Sequence, residues 1–298
     1  MANRESAPRY GHRAGHRIFR WVIRHFGVGP AYAVLVPVIA YYVLFRPSAV
    51  RAAAPYIRRR FPGGSRPKRW GLTFKLYYHF GLCLIDQAAS GILGPGSLKI
   101  EFPEADRFRE FVQGGRGLVF ITSHVGVWQQ AISVLAFMGR TVYLHLRRDE
   151  PSESMGLADF RGAGAGFHVV SPDAYLGGIP ELSLALAHGN IVAVMGDRGY
   201  GSAICERAGF LGHEAPFPLL PYHLALTTKS DLAVFLTSRI GRMRFRLRAE
   251  TKSGAGEDPA ADRASARSLL LRWYVGHLER EVREHPYMWF NFFDFWAK

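Results

Sequence analysis

Two regimes of hydrophobic patterning divide the chain. From Phe26 to Phe45, FGVGPAYAVLVPVIAYYVLF, twenty residues pass without a charge. As one helix they would reach about 30 Å, enough to cross a bilayer core. Pro30 and Pro37 count against a straight span, so a bent helix in the membrane interface or a re-entrant hairpin fits equally well. A buried core helix with solvated arginine flanks is the soluble alternative. FPGGSRPKRW, Phe61 to Trp70, reads as a linker, and Leu72 to Leu93 has helical apolar spacing. Beyond about residue 105 the pattern alternates. Short apolar runs at 117–123, 141–146, 167–171 and 191–197 are separated by helical patterns at about 126–138, 151–162 and 175–188. This alternation predicts an α/β fold, a largely parallel mixed sheet flanked by helices. Runs at 232–240 and 243–250 predict a hairpin extending the sheet, followed by a helix from about Asp258 to Glu284 and an aromatic tail, HPYMWFNFFDFW. The division expected is an N-terminal membrane-associated helical segment, 1–69, and an α/β domain, 70–298.

Charge sharpens that division. Through Arg69 the chain carries 14 Lys and Arg against one acid, Glu5, whereas the remaining residues carry 24 against 23. The basicity therefore surrounds the apolar run, with Arg13, Arg17, Arg20 and Arg24 before it and Arg46, Arg51 and Arg58 to Arg60 after it. Such flanks are drawn to anionic headgroups. They do not form a polar face interleaved with aromatics, so no nucleic-acid partner is expected. Cys83 and Cys205 lie in no ligand-spaced cluster, which predicts neither a disulfide framework nor a metal site, and fits thiols facing the cytosol. No Gly-x-Ser-x-Gly elbow for a serine hydrolase occurs.

The candidate chemistry centres on FITSHVGVWQQA, Phe120 to Ala131. His124 falls at the predicted carboxyl end of a strand, where open α/β sheets place their ligand crevice. The N–H groups of a helix starting near Gly126 could face an anionic headgroup or an oxyanion. An imidazole there suits a base working near neutral pH; a histidine that merely closes a strand is the other reading. MGDRGYG places Asp197 and Arg198 past another strand end, with Arg198 a candidate fork for phosphate or carboxylate. LHLRRDE supplies Arg147 and Arg148.

SHVGVWQQ resembles the first motif of the glycerolipid and lysophospholipid acyltransferase superfamily, in the His-x-Gly-x-Trp form of the bacterial lipid A late acyltransferases. LALAHGNIVAVMGDRGYG, GFLGHEAPFPLLPYHLALTTKSDLAVFLTSR and the aromatic tail resemble later blocks of that family in the same order, over roughly residues 70–296. The resemblance implies a glycerolipid acyltransferase-like fold. It also implies cofactor-free transfer of an acyl chain, from acyl carrier protein or acyl-CoA, to a hydroxyl or amine of a lipid acceptor at the cytoplasmic face of the inner membrane. His124 would be the general base. Ser123, Gly126, Trp128, Arg147, Arg148, Arg198, Phe210 and Gly212 would surround the substrates, and Asp197 would organise the site or assist His124.

One position departs from that pattern. The family's His-x4-Asp/Glu is here His124-x4-Gln129, and an amide orients an imidazole without stabilising the imidazolium. A five-residue offset is about 140° of helix rotation, so contact requires His124 to fold back from the loop. Three outcomes stay open: a slower base partnered by Gln129, a charge supplied instead by Asp197, or a non-catalytic lipid-binding or scaffolding relative.

Overall fold

The computed structural model describes residues 13–94, 96–135, 138–147, 166–199, 203–254 and 262–297. The predicted helix at 151–162 lies outside these residues, as does Arg148. Four helices come first: α1 (Arg13–Phe26), α2 (Val28–Phe45), α3 (Pro47–Arg60) and α4 (Arg66–Leu93). The expected linker shrinks to residues 61–65, because Arg66 opens α4 with a proline in the first turn, where no intrahelical N–H is lost. The boundary expected at residue 69 therefore falls inside a helix.

The apolar run of α2 is neither wholly core nor wholly exposed. Val28, Ala31, Leu35, Ile39 and Val43, spaced three or four apart, are buried and form one stripe of the helix. Gly81 of α4 makes room for this stripe: a Cβ there would stand 2.6 Å from a Leu35 methyl. On the outside, Val36, Tyr41, Leu44 and Phe45 are exposed, joined by Ile18, Trp21 and Phe26 of α1. Arg17, Arg20 and Arg24 of α1, Arg46 between α2 and α3, and Arg51 of α3 are exposed as well. Among the described residues, α2 is the one helix long and apolar enough to cross a membrane.

The domain that follows has β1 (Lys99–Glu101), α5 (Ala105–Gln113), β2 (Leu118–Thr122), α6 (Trp128–Leu135), β3 (Val142–His145) and β4 (Phe167–Val170). A short 3-10 turn (Tyr175–Gly178) then leads into α7 (Ile179–Ala187) and β5 (Ile191–Met195). After these come the hairpin β6 (Cys205–Phe210) and β7 (His213–Pro218), then α8 (Leu220–Thr228), β8 (Asp231–Gly241), β9 (Arg244–Lys252) and α9 (Arg263–Glu284). Seven strands form one sheet in the order β1-β9-β8-β2-β5-β3-β4. The pairs β8–β2, β2–β5, β5–β3 and β3–β4 are parallel, and β8–β9 is the expected antiparallel hairpin. The mostly parallel α/β sheet predicted from the alternation is thus present. The centre of the sheet is buried on both faces, so β2 and β5 read as continuous apolar runs.

The two faces carry separate cores. Phe120, Ala193 and Phe235 pack with Trp128, Ile132 and Leu135 of α6 on one side. Val119, Val194 and Val234 pack with α7, α8, α9 and the N-terminal helices on the other. That second core runs without a break from Val22 to Trp296.

Candidate active site

The sheet register brings His124 and Asp197 together. Thr122 on β2 pairs with Met195 on β5, so residues two positions beyond each strand end emerge side by side. The chain leaving β2 turns to the α6 face, whereas the chain leaving β5 turns to the face that holds β6, β7 and α8. Adjacent parallel strands whose connections diverge in this way open a crevice at their carboxyl ends. His124 and Asp197 sit there.

Their contacts are specific. His124 Nδ1 lies 2.9 Å from Asp197 Oδ1, and the His124 backbone N–H donates to Oδ2 at 2.9 Å. Oδ2 also accepts from the Trp289 indole N–H, at 2.8 Å. Asp197 is fully buried. Burial pushes its carboxyl upward, but the charge and hydrogen bonds of His124 and the Trp289 bond outweigh it and hold the group below the usual carboxylate range. A carboxylate acceptor at Nδ1 selects the tautomer with the proton on Nδ1. Nε2, which no described residue engages, is then a base with its lone pair available.

Gln129 is not the partner of this ring. It is the second residue of α6 and is buried, while the ring is turned to the β5 side. The sequence motif therefore points to the wrong neighbour, and strand pairing supplies the right one. The loop N–H at Gly126 is also not available to an oxyanion or headgroup, because it donates to the Met288 carbonyl at 2.7 Å. Gly126 is glycine for a steric reason: its φ is +58° and a Cβ would fall 1.9 Å from the Thr237 carbonyl oxygen.

Ser123 is buried, with its hydroxyl 2.8 Å from that of Tyr274 on α9; it braces the loop from below. A cavity of ≈ 570 Å³ opens beside this site at the ends of β3 and β5. Met195, Arg198 and Gly199 line it from the turn that carries Asp197, His145 and Arg147 from the end of β3, and His223 and Arg267 from α8 and α9. Leu176, Ile179, Ile204 and Leu219 make much of its wall apolar. His124 is not part of that wall, whereas Met195, Arg198 and Gly199, on either side of its partner Asp197, are. Arg198 reaches Asn291 Oδ1 at 3.2 Å and stands over the Phe293 ring at 5.2 Å. Arg147 forks onto the Asp173 carboxylate at 3.1 and 2.7 Å. His145 is buried at the cavity end of β3, and desolvation pushes its pKa down.

Trp128, Phe210 and Gly212, expected against substrate, lie elsewhere. Trp128 is buried in the α6 core. Phe210 is fully buried against Trp289 and Trp296. Gly212, at φ +78°, makes the hairpin turn with Leu211. Phe210 and Gly212 thus shape the scaffold behind Asp197.

Glu281, Glu284 and His285 place ligand atoms within 4.8 Å of one another. Arg248 already bridges Glu281 and Glu284 at 3.1 and 2.6 Å, so a guanidinium takes the place a cation would need.

Trp289, Tyr274 and Asn291 are the site-building residues that sequence reasoning missed. In the sequence the tail containing Trp289 and Asn291 is marked only by its aromatic content, and the indole's need for an acceptor when buried is the one hint of more. Comparison with protein-family models and with curated proteins finds no match.

Proposed function

We propose that this protein is an acyltransferase with a glycerolipid acyltransferase-like domain, moving a fatty acyl chain from a thioester donor to a hydroxyl or amine of a lipid or glycolipid acceptor. The observation that carries the reading is the His124–Asp197 pair, with Nδ1 committed to a buried carboxylate and Nε2 open at the crevice. In the proposed reaction Nε2 takes the acceptor proton as the acceptor oxygen or nitrogen attacks the thioester carbonyl. Asp197 stabilises the imidazolium that forms. Collapse of the tetrahedral intermediate breaks the carbon–sulfur bond, and the imidazolium returns its proton to the departing thiolate. No cofactor takes part. Arg198 and Arg147, at the cavity rim, are suited to an anionic headgroup or to the phosphate of the donor. The donor is acyl carrier protein or acyl-CoA.

Supporting a place on the inner membrane's cytoplasmic face are the exposed apolar surface of α1 and α2 and the arginines around it. Tryptophan and arginine at such a border suit the interfacial zone. The two cysteines are free, which suits a reducing compartment. Phosphatidylglycerol-containing vesicles should float the purified protein, less at high salt and less with Leu44→Ser and Phe45→Ser together. Undiminished flotation of that double variant would remove this surface from the proposal.

The test of activity is acceptor-dependent release of free thiol from acyl carrier protein or acyl-CoA thioesters, with the host's lipid extract as acceptor, run beside lipid profiling of a gene deletion. One acylated species should disappear on deletion and reappear both on complementation and in the tube. A lipid profile unchanged by deletion, together with no thiol release from either donor, would leave a lipid-binding or scaffolding protein as the better account.

A further inference from the structure

We infer that Trp289 is a positioning residue for the His124–Asp197 pair, and that the tail segment Met288–Phe290 clasps the loop carrying His124 so that the C-terminus completes the site. The inference rests on the acyl-transfer reading of that pair. Three consecutive tail residues engage three consecutive loop residues. Met288 accepts from the Gly126 N–H at 2.7 Å, Trp289 bridges Val125 in antiparallel fashion, and the Phe290 N–H donates to the His124 carbonyl at 2.7 Å. The loop bearing the base is therefore one strand of a miniature ladder whose other strand is the tail.

The Trp289 side chain adds the electrostatic part. Its indole N–H can only donate, and it meets Asp197 Oδ2 at 2.8 Å with both groups fully buried. The ring cannot turn away. Tyr56, Phe210 and Phe295 each hold it edge-on at a centroid separation of 5.2 Å. With Oδ2 occupied by Trp289 and the His124 backbone, Oδ1 is left facing Nδ1. The tail thus fixes which oxygen serves the imidazole. Tyr56 also donates its hydroxyl to the Pro286 carbonyl, so α3 seats the same tail.

A purely structural role would make Trp289 a core residue whose N–H merely found an acceptor, so the test must read Asp197 itself. The titratable groups facing that carboxylate are His124 and the Tyr274 hydroxyl, which burial pushes far upward, with the Arg198 guanidinium one residue on. In protein labelled with ¹³C at aspartate Cγ, Asp197 is assigned by comparison with Asp197→Asn and titrated downward in pH. Trp289→Phe should move its titration to higher pH and lower kcat roughly ten-fold with KM unchanged, as expected for one lost hydrogen bond to a charged group. Trp296→Phe, the same substitution in the same aromatic cluster, should leave the Asp197 titration at the wild-type position. An unmoved titration in Trp289→Phe, or equal movement in both variants, would overturn the inference. Should Trp289→Phe fail to fold, the wild-type protein still decides it. The Trp289 indole resonance must follow Asp197 through the titration while that of Trp296 does not, and an unresponsive Trp289 resonance overturns the inference. Coupling of indole and carboxyl in a protein that releases no thiol would leave the positioning role standing and reject only the acyl-transfer reading.

Discussion

Asp197→Asn should lower kcat by roughly three to four orders of magnitude with little change in KM, and the reason is a tautomer. The asparagine amide has one accepting oxygen where the carboxylate has two. Two N–H donors, from His124 and Trp289, already converge on the Oδ2 position, so the amide oxygen settles there and the NH₂ group faces Nδ1. A donor facing Nδ1 forces that nitrogen to accept, which puts the ring proton on Nε2. An imidazole protonated on Nε2 cannot take a proton from the acceptor. Gln129→Leu, by contrast, should leave most of the rate, because Gln129 is not the group on the ring. Steady-state thiol release measures both rates, and ¹⁵N shifts of the His124 ring show the tautomer directly. Equal losses in Asp197→Asn and Gln129→Leu would return the partner role to Gln129. Asp197 also carries a pH signature. Its folded pKa is depressed below 3.8, so the stability it contributes is fully present above that value and is lost as pH falls through the lower, folded value. Asp197→Asn removes this acid-labile contribution.

How much of this site the sequence discloses follows from what each signal depends on. Alternating apolar runs need only local side chains, so β2, β3, β4, β5 and the β8–β9 hairpin are legible as segments. The position of His124 at a strand end follows from them. Strand order is not local. Nothing in GLVFITS, TVYLHL or IVAVMGD says that β5 lies between β2 and β3, so that β2 neighbours β5 and not the strand that follows it in the chain. The choice between Asp197 and Gln129 as partner stays open in the sequence for that reason, although both residues are visible as candidates. The motif spacing that singled out Gln129 is local, and it misleads here because the group on the ring comes from the end of a neighbouring strand, while Gln129 lies in α6. Trp289 is hidden for another reason. In an aromatic tail an indole whose N–H matters reads the same as one that only fills space. The β6–β7 hairpin was obscured because Pro216 and Pro218 interrupt its β pattern, which a hairpin outside the main sheet tolerates.

The N-terminal helices invite the largest effect on stability, at a site remote from the chemistry. Asp86 on α4 is fully buried and Arg239 on β8 nearly so, with Arg239 Nε 2.7 Å from Asp86 Oδ2. Tyr32 of α2 completes the cluster by donating its hydroxyl to Asp86 Oδ1, and Arg239 donates to the Tyr32 oxygen at 3.2 Å. Asp86→Ala would strand a guanidinium among apolar side chains, so it should cost about 3–5 kcal/mol. Removing both charges with Asp86→Leu and Arg239→Met should cost far less, since neither partner is left buried alone. Urea unfolding of the two variants beside wild type measures the difference. Equal destabilisation in both would mean that lost packing, and not a stranded charge, sets the cost. Under the proposed membrane placement, the cluster also bears on how α2 would meet lipid. A helix whose inner stripe packs on α4 and whose Tyr32 is tied to the central sheet cannot expose that stripe to hydrocarbon without breaking a buried ion-pair network. Only its outer face, through Val36, Tyr41, Leu44 and Phe45, is then left for the bilayer. That geometry favours a helix lying in the interface over one that crosses it.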